Sequence, residues 1–167
     1  MKQPRQVAVS PVYVGRLDAY FLPALFFSRI FAAKHYDFMR DFKISVKVQA
    51  TTEEVYSAIT NPFAIELWTG YPAKMSTEPG SEFEMWDGDI CGKNLEFDEN
   101  KLVRQEWYFG EDEPSIVTIK ITPRSNVRSE IFITQTNIPD EFYDNIAGGW
   151  EDDYLASLRQ FLEEGDD

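Results

Sequence analysis

The chain has 167 residues, of which 43% are hydrophobic and 15% aromatic, and its formal net charge is −13 at pH 7. This length and composition predict one globular domain with a core large enough to fold unaided. The acidic charge argues against nucleic acids and membranes as partners, because both present negatively charged phosphates. A partner protein with a basic surface is compatible with it.

Cysteine and histidine are scarce, and this restricts the chemistry that the chain can perform. Cys91 is the single cysteine and His35 the single histidine. These counts argue against a Ser-His-Asp triad, a Cys-His dyad and a zinc site of histidine and cysteine ligands. We therefore expect no catalytic residue, no metal and no cofactor. A lone thiol forms no intrachain disulfide, which fits the cytoplasm, and we interpret Cys91 as a buried, inert thiol.

Residues 1–38 differ in composition from the remainder. They hold five basic and two acidic side chains, whereas the later residues hold 11 and 27. The apolar run at 20–27 is too short to span a bilayer. It fits either a signal peptide, although 28–33 is a poor cleavage site, or a non-native extension with Met39 as the true start. We favour the second interpretation and predict a poorly ordered extension over 1–38, followed by the folded domain over 39–167.

The folded part begins with a strand and two short helices. Apolar and polar residues alternate over 42–48, which is typical of a half-buried strand. Thr51 and Glu54 match a capping box at the start of a helix. Asn61-Pro62 is a second helix start, and Gly70 is the predicted end.

Strand signals then follow in series. Asp87-Gly88 is a hairpin dipeptide, and the short connections between the segments imply antiparallel neighbours. The predicted strands cover 73–77 (a weak signal), 81–86, 90–97, 102–109, 117–122 and 128–136.

A long amphipathic helix is predicted to end the chain. Asp140 is its expected cap, Gly148-Gly149 predicts a kink or break, and the acidic end is expected to fray. The glycine pair permits either a lid-like motion or a close contact with the sheet. The predicted inward stripe is Phe142, Ile146, Trp150, Tyr154, Leu158 and Phe161.

This order of elements predicts an α+β, helix-grip fold. A curved antiparallel sheet of about six or seven strands wraps around the long C-terminal helix, and two short helices follow the first strand. The space enclosed by such a grip is either core or ligand cavity.

An ordered set of short segments resembles a known family. The segments are 55–62, Asp87-Gly88 with Gly92, 103–109 around Trp107, 138–139, and Gly149-Trp150 with Tyr154 and Leu158. Together they are similar to the START-like, helix-grip superfamily of the birch-pollen allergen. Within it, they resemble the C-terminal domain of the activators of heat-shock-protein-90 ATPase and their single-domain bacterial relatives.

The resemblance implies two kinds of role. Eukaryotic members of the family bind the chaperone and stimulate its ATPase with two domains, and the N-terminal domain of that pair is not recognisable in this sequence. More distant members of the superfamily bind lipids, hormones or polyketides in the cavity, and a few catalyse reactions there.

The residues expected to line a cavity are also good core residues, and both interpretations stay open. Tyr154 would give the cavity a polar handle. Asp153 is placed near its mouth, and the carboxylates around the hairpin ends, such as Asp87 and Asp89, are interpreted as a solvated acidic rim. The candidate lining is Trp68, Phe83, Met85, Trp107, Trp150, Tyr154 and Leu158.

Three functional hypotheses follow. The first is a non-enzymatic module that binds a small hydrophobic ligand in an apolar cavity. The second is a protein-interaction module whose partner is a chaperone. The third is an enzyme that uses a tyrosine and a carboxylate as acid and base, and the absence of histidine from 39–167 places it last.

Overall fold

The computed structural model describes residues 38–108 and 113–163. The expectations for residues 1–37, whether signal peptide or extension, therefore lie outside the described residues. The same holds for the predicted strand end at 109, for the loop at 111–112 and for the expected fraying of residues 164–167.

The described residues form six strands and a set of helical segments in the predicted order. Two short 3₁₀ turns, Trp86–Gly88 and Asp140–Phe142, lie between the longer elements. The strands are β1 (Met39–Val48), β2 (Glu82–Met85), β3 (Ile90–Asp98), β4 (Leu102–Trp107), β5 (Ser115–Ser125) and β6 (Arg128–Pro139); the helices are α1 (Thr52–Thr60), α2 (Pro62–Thr69), α3 (Tyr143–Gly148) and α4 (Ala156–Glu163), with a π-helical segment (Gly149–Leu155) between α3 and α4.

The strands form one curved sheet in the order β1-β6-β5-β4-β3-β2. Every neighbouring pair is antiparallel. Strands β2 to β6 are consecutive neighbours, and β1 closes the opposite edge against β6. The predicted α+β helix-grip fold is confirmed.

The weak strand predicted over 73–77 is wrong. Lys74 makes a single bridge to Glu84, with two backbone hydrogen bonds of 2.9 Å. Beyond it the chain turns, because the backbone N–H of Glu78 donates to the Ser76 hydroxyl at 3.2 Å. This local bond diverts the backbone from continued pairing along β2.

Helices α1 and α2 begin at the predicted signals, and α2 ends at the predicted Gly70. The Glu54 backbone N–H donates to the Thr51 hydroxyl at 3.2 Å, and the Thr51 N–H donates to the Glu54 carboxylate at 2.7 Å. These two bonds complete the capping box. The pKa of Glu54 is lowered, and the main cause is the hydrogen bond that its carboxylate accepts from the Thr51 backbone. Asn61 caps α2, and Gly70 ends it with a φ of 77°, a left-handed conformation that glycine adopts without steric cost.

The last helical segments run continuously from Tyr143 to Glu163 and are called the C-terminal helix below. Of the kink or break predicted at Gly148-Gly149, the break is wrong, because both glycines keep right-handed helical angles. The helix instead widens into π-helical turns at Gly149. The predicted cap at Asp140 is also wrong, since its carboxylate makes no cap bond and pairs with Arg40 at 3.3 Å.

The inward stripe of the C-terminal helix is narrower than predicted. Trp150, Tyr154 and Leu158 are buried together with Leu155, which the π-helical spacing brings to the same side. At the two ends the stripe reaches the surface: Phe142 is 36% exposed, and Ile146 and Phe161 are half-buried.

The core lies between the inner face of the sheet and the helices. Among the described residues, none of the helices is both long and apolar enough to cross a bilayer. The buried apolar side chains of the sheet include Phe42, Phe83, Val103, Trp107, Val117, Ile119, Ile131 and Ile133.

Candidate ligand-binding cleft

An open cleft of about 590 Å³ lies between the C-terminal helix and the part of the sheet built by β3 and β4. Its aromatic walls are formed by Tyr71, Trp86, Trp107, Tyr108, Trp150 and Tyr154. The remaining lining residues are Asp89, Ile90, Cys91, Asn145, Ile146, Gly149, Asp153 and Ser157. Tyr71, Tyr108 and both aspartates are exposed, so the cleft opens to solvent on that side.

All seven residues expected to line a cavity are buried. Trp107, Trp150 and Tyr154 form part of the cleft wall. The other four residues are Trp68, Phe83, Met85 and Leu158, and they lie in the core. The structure thus brings together two different sets, one that lines the cleft and one that packs the interior.

The aromatic rings fill the space between the helix and the sheet. Trp107 of β4 stacks on Trp150, with ring centroids 4.9 Å apart and an interplanar angle of 23°. Tyr154 lies 4.6 Å from Trp150 and 5.0 Å from Trp68. These distances are those of ring pairs in direct contact. The open cleft therefore begins where this aromatic cluster ends.

Trp86 forms one wall of the cleft, and the backbone conformation at this position is unusual. Trp86 and Asp87 have positive φ angles of 50° and 56°, and Gly88 follows at 94°. A left-handed conformation is uncommon for a bulky residue and is retained where surrounding contacts hold it. The Trp86 ring packs against Trp68 at 5.2 Å and Tyr154 at 5.7 Å.

A chain of side-chain amides holds Trp107 from inside the sheet. The Trp107 indole N–H donates to Gln105 Oε1 at 3.1 Å, and Gln105 Nε2 donates to Asn94 Oδ1 at 2.8 Å. Asn94 Nδ2 in turn donates to the Ser76 carbonyl at 2.9 Å and the Ser81 hydroxyl at 3.1 Å. This network satisfies buried amides and fixes the orientation of the ring.

Trp150 is held from the other side of the cleft by β6. Its indole N–H donates to Gln135 Oε1 at 2.7 Å, and both side chains are buried. The nitrogen of the same amide, Gln135 Nε2, has no hydrogen-bond partner among the described residues. A buried donor without a partner is costly, so the bond to Trp150 is the main polar compensation for burying this amide.

Tyr154 is the buried tyrosine of the cleft. Burial raises its pKa well above the ordinary tyrosine value, because the phenolate is poorly solvated there. The hydroxyl therefore stays protonated through the physiological range and can act as a neutral hydrogen-bonding group.

Two carboxylates, Asp89 and Asp153, lie at the cleft in different parts of the chain. Asp89 follows the 3₁₀ turn between β2 and β3, and Asp153 lies in the π-helical segment. The sequence interpretation placed Asp153 near the cavity mouth, where it lies. Asp89 was assigned to a solvated rim; it is exposed, and it also lines the cleft.

Cys91 and the glycine pair also differ from expectation. Cys91 is half-buried and lines the cleft, so the prediction of a buried thiol is wrong. A methyl group added at Gly148 or Gly149 would meet nothing within 4 Å, which argues against a close glycine contact with the sheet.

Within residues 38–108 and 113–163, no group of three or more histidine, cysteine, aspartate or glutamate side chains is placed to hold a metal ion.

Sequence reasoning missed the outer part of the cleft. Tyr71 and Tyr108 lie just beyond an element, and no periodic pattern marks them as neighbours of the C-terminal helix. The one available signal was the Trp86-Asp87-Gly88 turn, where a large ring adjoins residues that favour left-handed angles.

A six-stranded antiparallel sheet closed around a C-terminal helix, with an aromatic cleft at their junction, defines a START-like, helix-grip domain. Residues 49–163 match the model of the family described as "Activator of Hsp90 ATPase homolog 1-like protein". The chain belongs to this family, and the resemblance seen in its sequence is confirmed.

Two mouse proteins illustrate the relationship in sequence. Activator of 90 kDa heat shock protein ATPase homolog 2 of Mus musculus is 23% identical over 116 residues, which cover 68% of this chain and 35% of the relative. Homolog 1 of the same species is 26% identical over 122 residues, which cover 71% of this chain and 36% of the relative. The chain thus spans about a third of the length of the curated relatives it matches.

Solved structures show the same fold. An HSP90 activator from Plasmodium falciparum superimposes with a TM-score of 0.66 at 20% identity, covering 71% of this chain and 92% of that one. The Aha1 dimer from Colwellia psychrerythraea gives a TM-score of 0.67 at 18% identity, covering 77% and 99%.

Proposed function

We propose that this domain is a non-enzymatic binding module and that its site is the aromatic cleft, which takes a small hydrophobic molecule. The observation that carries the proposal is the cleft itself: about 590 Å³ of open space, walled by six aromatic side chains. Small-molecule sites in proteins typically measure roughly 300–1,000 Å³ and are lined mainly by apolar and aromatic groups.

The rigidity of the inner wall supports this proposal. Trp107 and Trp150 stack on each other, and each indole N–H is engaged by a buried glutamine of the sheet. The rings are therefore held in place before a ligand arrives, which lowers the entropic cost of binding. The proposed site is therefore an open cleft and not an enclosed cavity, since the proposed ligand lies outside the aromatic cluster.

The chemistry of the cleft favours binding over conversion. A general acid or base works best with a pKa near the operating pH, whereas burial moves the pKa of Tyr154 further away. No histidine occurs in residues 39–167. We propose that the module acts in the cytoplasm, which suits a chain with a single cysteine.

Native mass spectrometry of the full chain, purified gently from its own host, tests this function. We expect a discrete added mass that disappears on denaturation. Cys91 then locates the bound molecule. Alkylating this single thiol with a bulky maleimide blocks the cleft, so the mass of the bound molecule is no longer found. The Cys91→Ser chain, treated identically, is the control and keeps it. A bare mass from the untreated chain, or an added mass unaffected by the maleimide, contradicts the proposal.

A second function, binding to a heat-shock-protein-90 chaperone with stimulation of its ATPase, is favoured by the family and by one surface feature. Phe63 and Leu67 lie four residues apart on α2 and are 67% and 58% exposed. Residues at this spacing share one face of a helix, so they form an apolar ridge. Exposed ridges of this kind are typical of contacts with a partner.

The ATPase rate of the host chaperone, measured with and without the full chain, tests the second function. We expect stimulation by the native chain and its loss in Phe63→Lys/Leu67→Lys. Val127→Lys, which alters another exposed apolar residue in the β5–β6 turn, is the matched control and is expected to stimulate normally. An unchanged ATPase rate at saturating native chain eliminates this function.

A further inference from the structure

We propose that the cleft selects an organic cation, a small molecule in which an ammonium or similar positive group is joined to an apolar body. The inference rests on the proposed binding function and adds the charge of the ligand to it. Three features of the cleft carry it: the charges of its lining, the arrangement of its aromatic rings and the absence of a competing positive group among its described residues.

The charged groups of the described lining are all negative. Asp89 and Asp153 line the cleft from two separate parts of the chain, and no lysine, arginine or histidine is among the described lining residues. Neither carboxylate forms an ion pair with another described residue. A bound cation would therefore meet two negative groups without displacing a salt bridge.

The rings supply the second half of the recognition. The face of an aromatic ring is electron-rich, and tryptophan attracts a nearby cation most strongly. Trp86, Trp107 and Trp150 all contribute to the wall, and Tyr71 and Tyr108 stand exposed at its edge. Since Trp107 and Trp150 are almost fully buried, we expect the ammonium group to contact the half-buried Trp86 ring or the exposed tyrosines.

The same features disfavour anionic ligands. A fatty acid or a phosphate ester would bring a negative group towards Asp89 and Asp153, within a chain whose net charge is −13. Like charges at close range are repulsive, and no positive side chain of the described lining offsets the repulsion. A neutral apolar molecule is the remaining alternative, and the experiment is designed to separate it from a cation.

Three probes of similar size test the inference on the full chain. Benzyltrimethylammonium is the cation, neopentylbenzene is its neutral isostere, and phenylacetate is the anion. Binding is followed by the indole N–H resonances of the four tryptophans. Trp86, Trp107 and Trp150 line the cleft and report on it directly. Trp68 lies in the core, where its indole is bonded to the Ala58 carbonyl, and serves as an internal reference with a smaller expected shift.

Charge-matched variants isolate the two carboxylates. Asp89→Asn/Asp153→Asn removes both from the cleft, whereas Asp87→Asn/Asp152→Asn removes two exposed neighbours that do not line it. At low ionic strength we expect the cation to bind native chain about five- to tenfold more tightly than its isostere, from ring and carboxylate attraction together. The first variant reduces this preference severalfold, because only the attraction of the rings remains, and the second retains it in full.

The outcomes separate the inference from the function beneath it. Equal or tighter binding of neopentylbenzene to the native chain, or a cation preference that is unchanged in Asp89→Asn/Asp153→Asn, overturns the inference and leaves the binding function standing. If none of the three probes shifts the cleft tryptophans, with the two ionic probes at millimolar concentration and neopentylbenzene at its limit of solubility, both are overturned. A preference that falls in the first variant and is kept in the second supports both.

Discussion

The indole N–H of Trp150 donates a hydrogen bond of 2.7 Å to the side-chain oxygen of Gln135, and both residues are buried. The bond joins the C-terminal helix to β6, the central partner of β1 and β5. It lies behind the cleft wall that Trp150 forms with Trp107. One polar contact therefore fixes the helix on the sheet and positions a ring of the candidate site.

Removing either partner of this bond is expected to destabilise the fold, and removing both is expected to cost less than the sum. Trp150→Phe leaves Gln135 Oε1 without a donor, and Gln135→Leu leaves the indole N–H without an acceptor. In the double variant neither orphan remains. We expect a coupling of about 1 kcal/mol in the free energy of unfolding, measured by urea denaturation of the four chains.

A second cycle controls for general effects of losing an indole. Trp68 donates its N–H to the Ala58 carbonyl and shares no hydrogen-bond partner with Gln135. Trp68→Phe and Gln135→Leu should therefore be additive to within about 0.5 kcal/mol. Additivity in the Trp150 cycle as well would show that the 2.7 Å contact contributes no specific coupling.

Gly92 is required where β3 passes close to β4. A methyl group added there would lie 1.8 Å from the backbone oxygen of Glu106 and 3.0 Å from the Phe83 ring. The first neighbour is backbone, so the strands must separate to admit it. We expect Gly92→Ala to lower the free energy of unfolding by about 1–3 kcal/mol or more, measured by urea denaturation.

Gly148→Ala is the matched control for this substitution. It adds the same methyl group in a helical backbone with nothing within 4 Å. Alanine has a higher helix propensity than glycine, so we expect the free energy of unfolding to rise by about 0.5–1 kcal/mol. Equal effects of the two substitutions would contradict the close approach at Gly92.

Most of the fold could be predicted because its signals are local. Alternation over 42–48 and the capping box of Thr51 and Glu54 depend on residues within a few positions of one another. The failures lie where a local pattern competes with tertiary contacts. Residues 73–77 have strand-like composition, but a serine turn allows them one bridge only. The π-helical segment was also missed, because the stripe was interpreted with the period of a regular α-helix.

The candidate site was less predictable for a related reason. An aromatic side chain on an inward face looks the same in sequence whether it lines a space or fills one. Phe83 and Met85 pack the core, while Trp107 also reaches the cleft, although all three lie on inward-facing strand positions. The difference depends on the neighbouring strand ends and on the left-handed turn at Trp86, which are tertiary features.

Gln105 connects the cleft wall to the interior and is expected to be sensitive to loss of its amide. Gln105→Leu keeps a similar volume but leaves the Trp107 indole N–H and Asn94 Oδ1 without their partners. We expect a loss of about 2–4 kcal/mol in the free energy of unfolding, from two orphaned buried groups. We also expect the Trp107 indole resonance to move.

Arg104→Leu is the comparison for that substitution. Arg104 is the exposed neighbour of Gln105 on the same strand, so its replacement should change stability by no more than about 0.5 kcal/mol. A small effect of Gln105→Leu, similar to that of Arg104→Leu, would show that the amide chain does not stabilise the sheet.

Tyr154 is expected to make the stability of the domain fall in alkaline solution. Burial raises its pKa in the folded chain above the value of 10.0 expected when it is exposed. Above about pH 10 the unfolded chain has lost this proton while the folded chain retains it, so ionisation favours unfolding by about 1.4 kcal/mol per pH unit. Below pH 10 both states are protonated and the effect vanishes.

Tyr154→Phe lacks the titrating hydroxyl and is the comparison chain. Tyr56 and Tyr108, whose pKa values desolvation also raises, are present in both chains, so their contributions cancel. Urea unfolding of the two chains between about pH 8 and 11 should therefore give curves that run parallel at first and then diverge, with the native chain falling faster. Parallel curves throughout would mean that Tyr154 ionises as readily in the folded chain as in the unfolded one, and that water reaches its hydroxyl through the cleft.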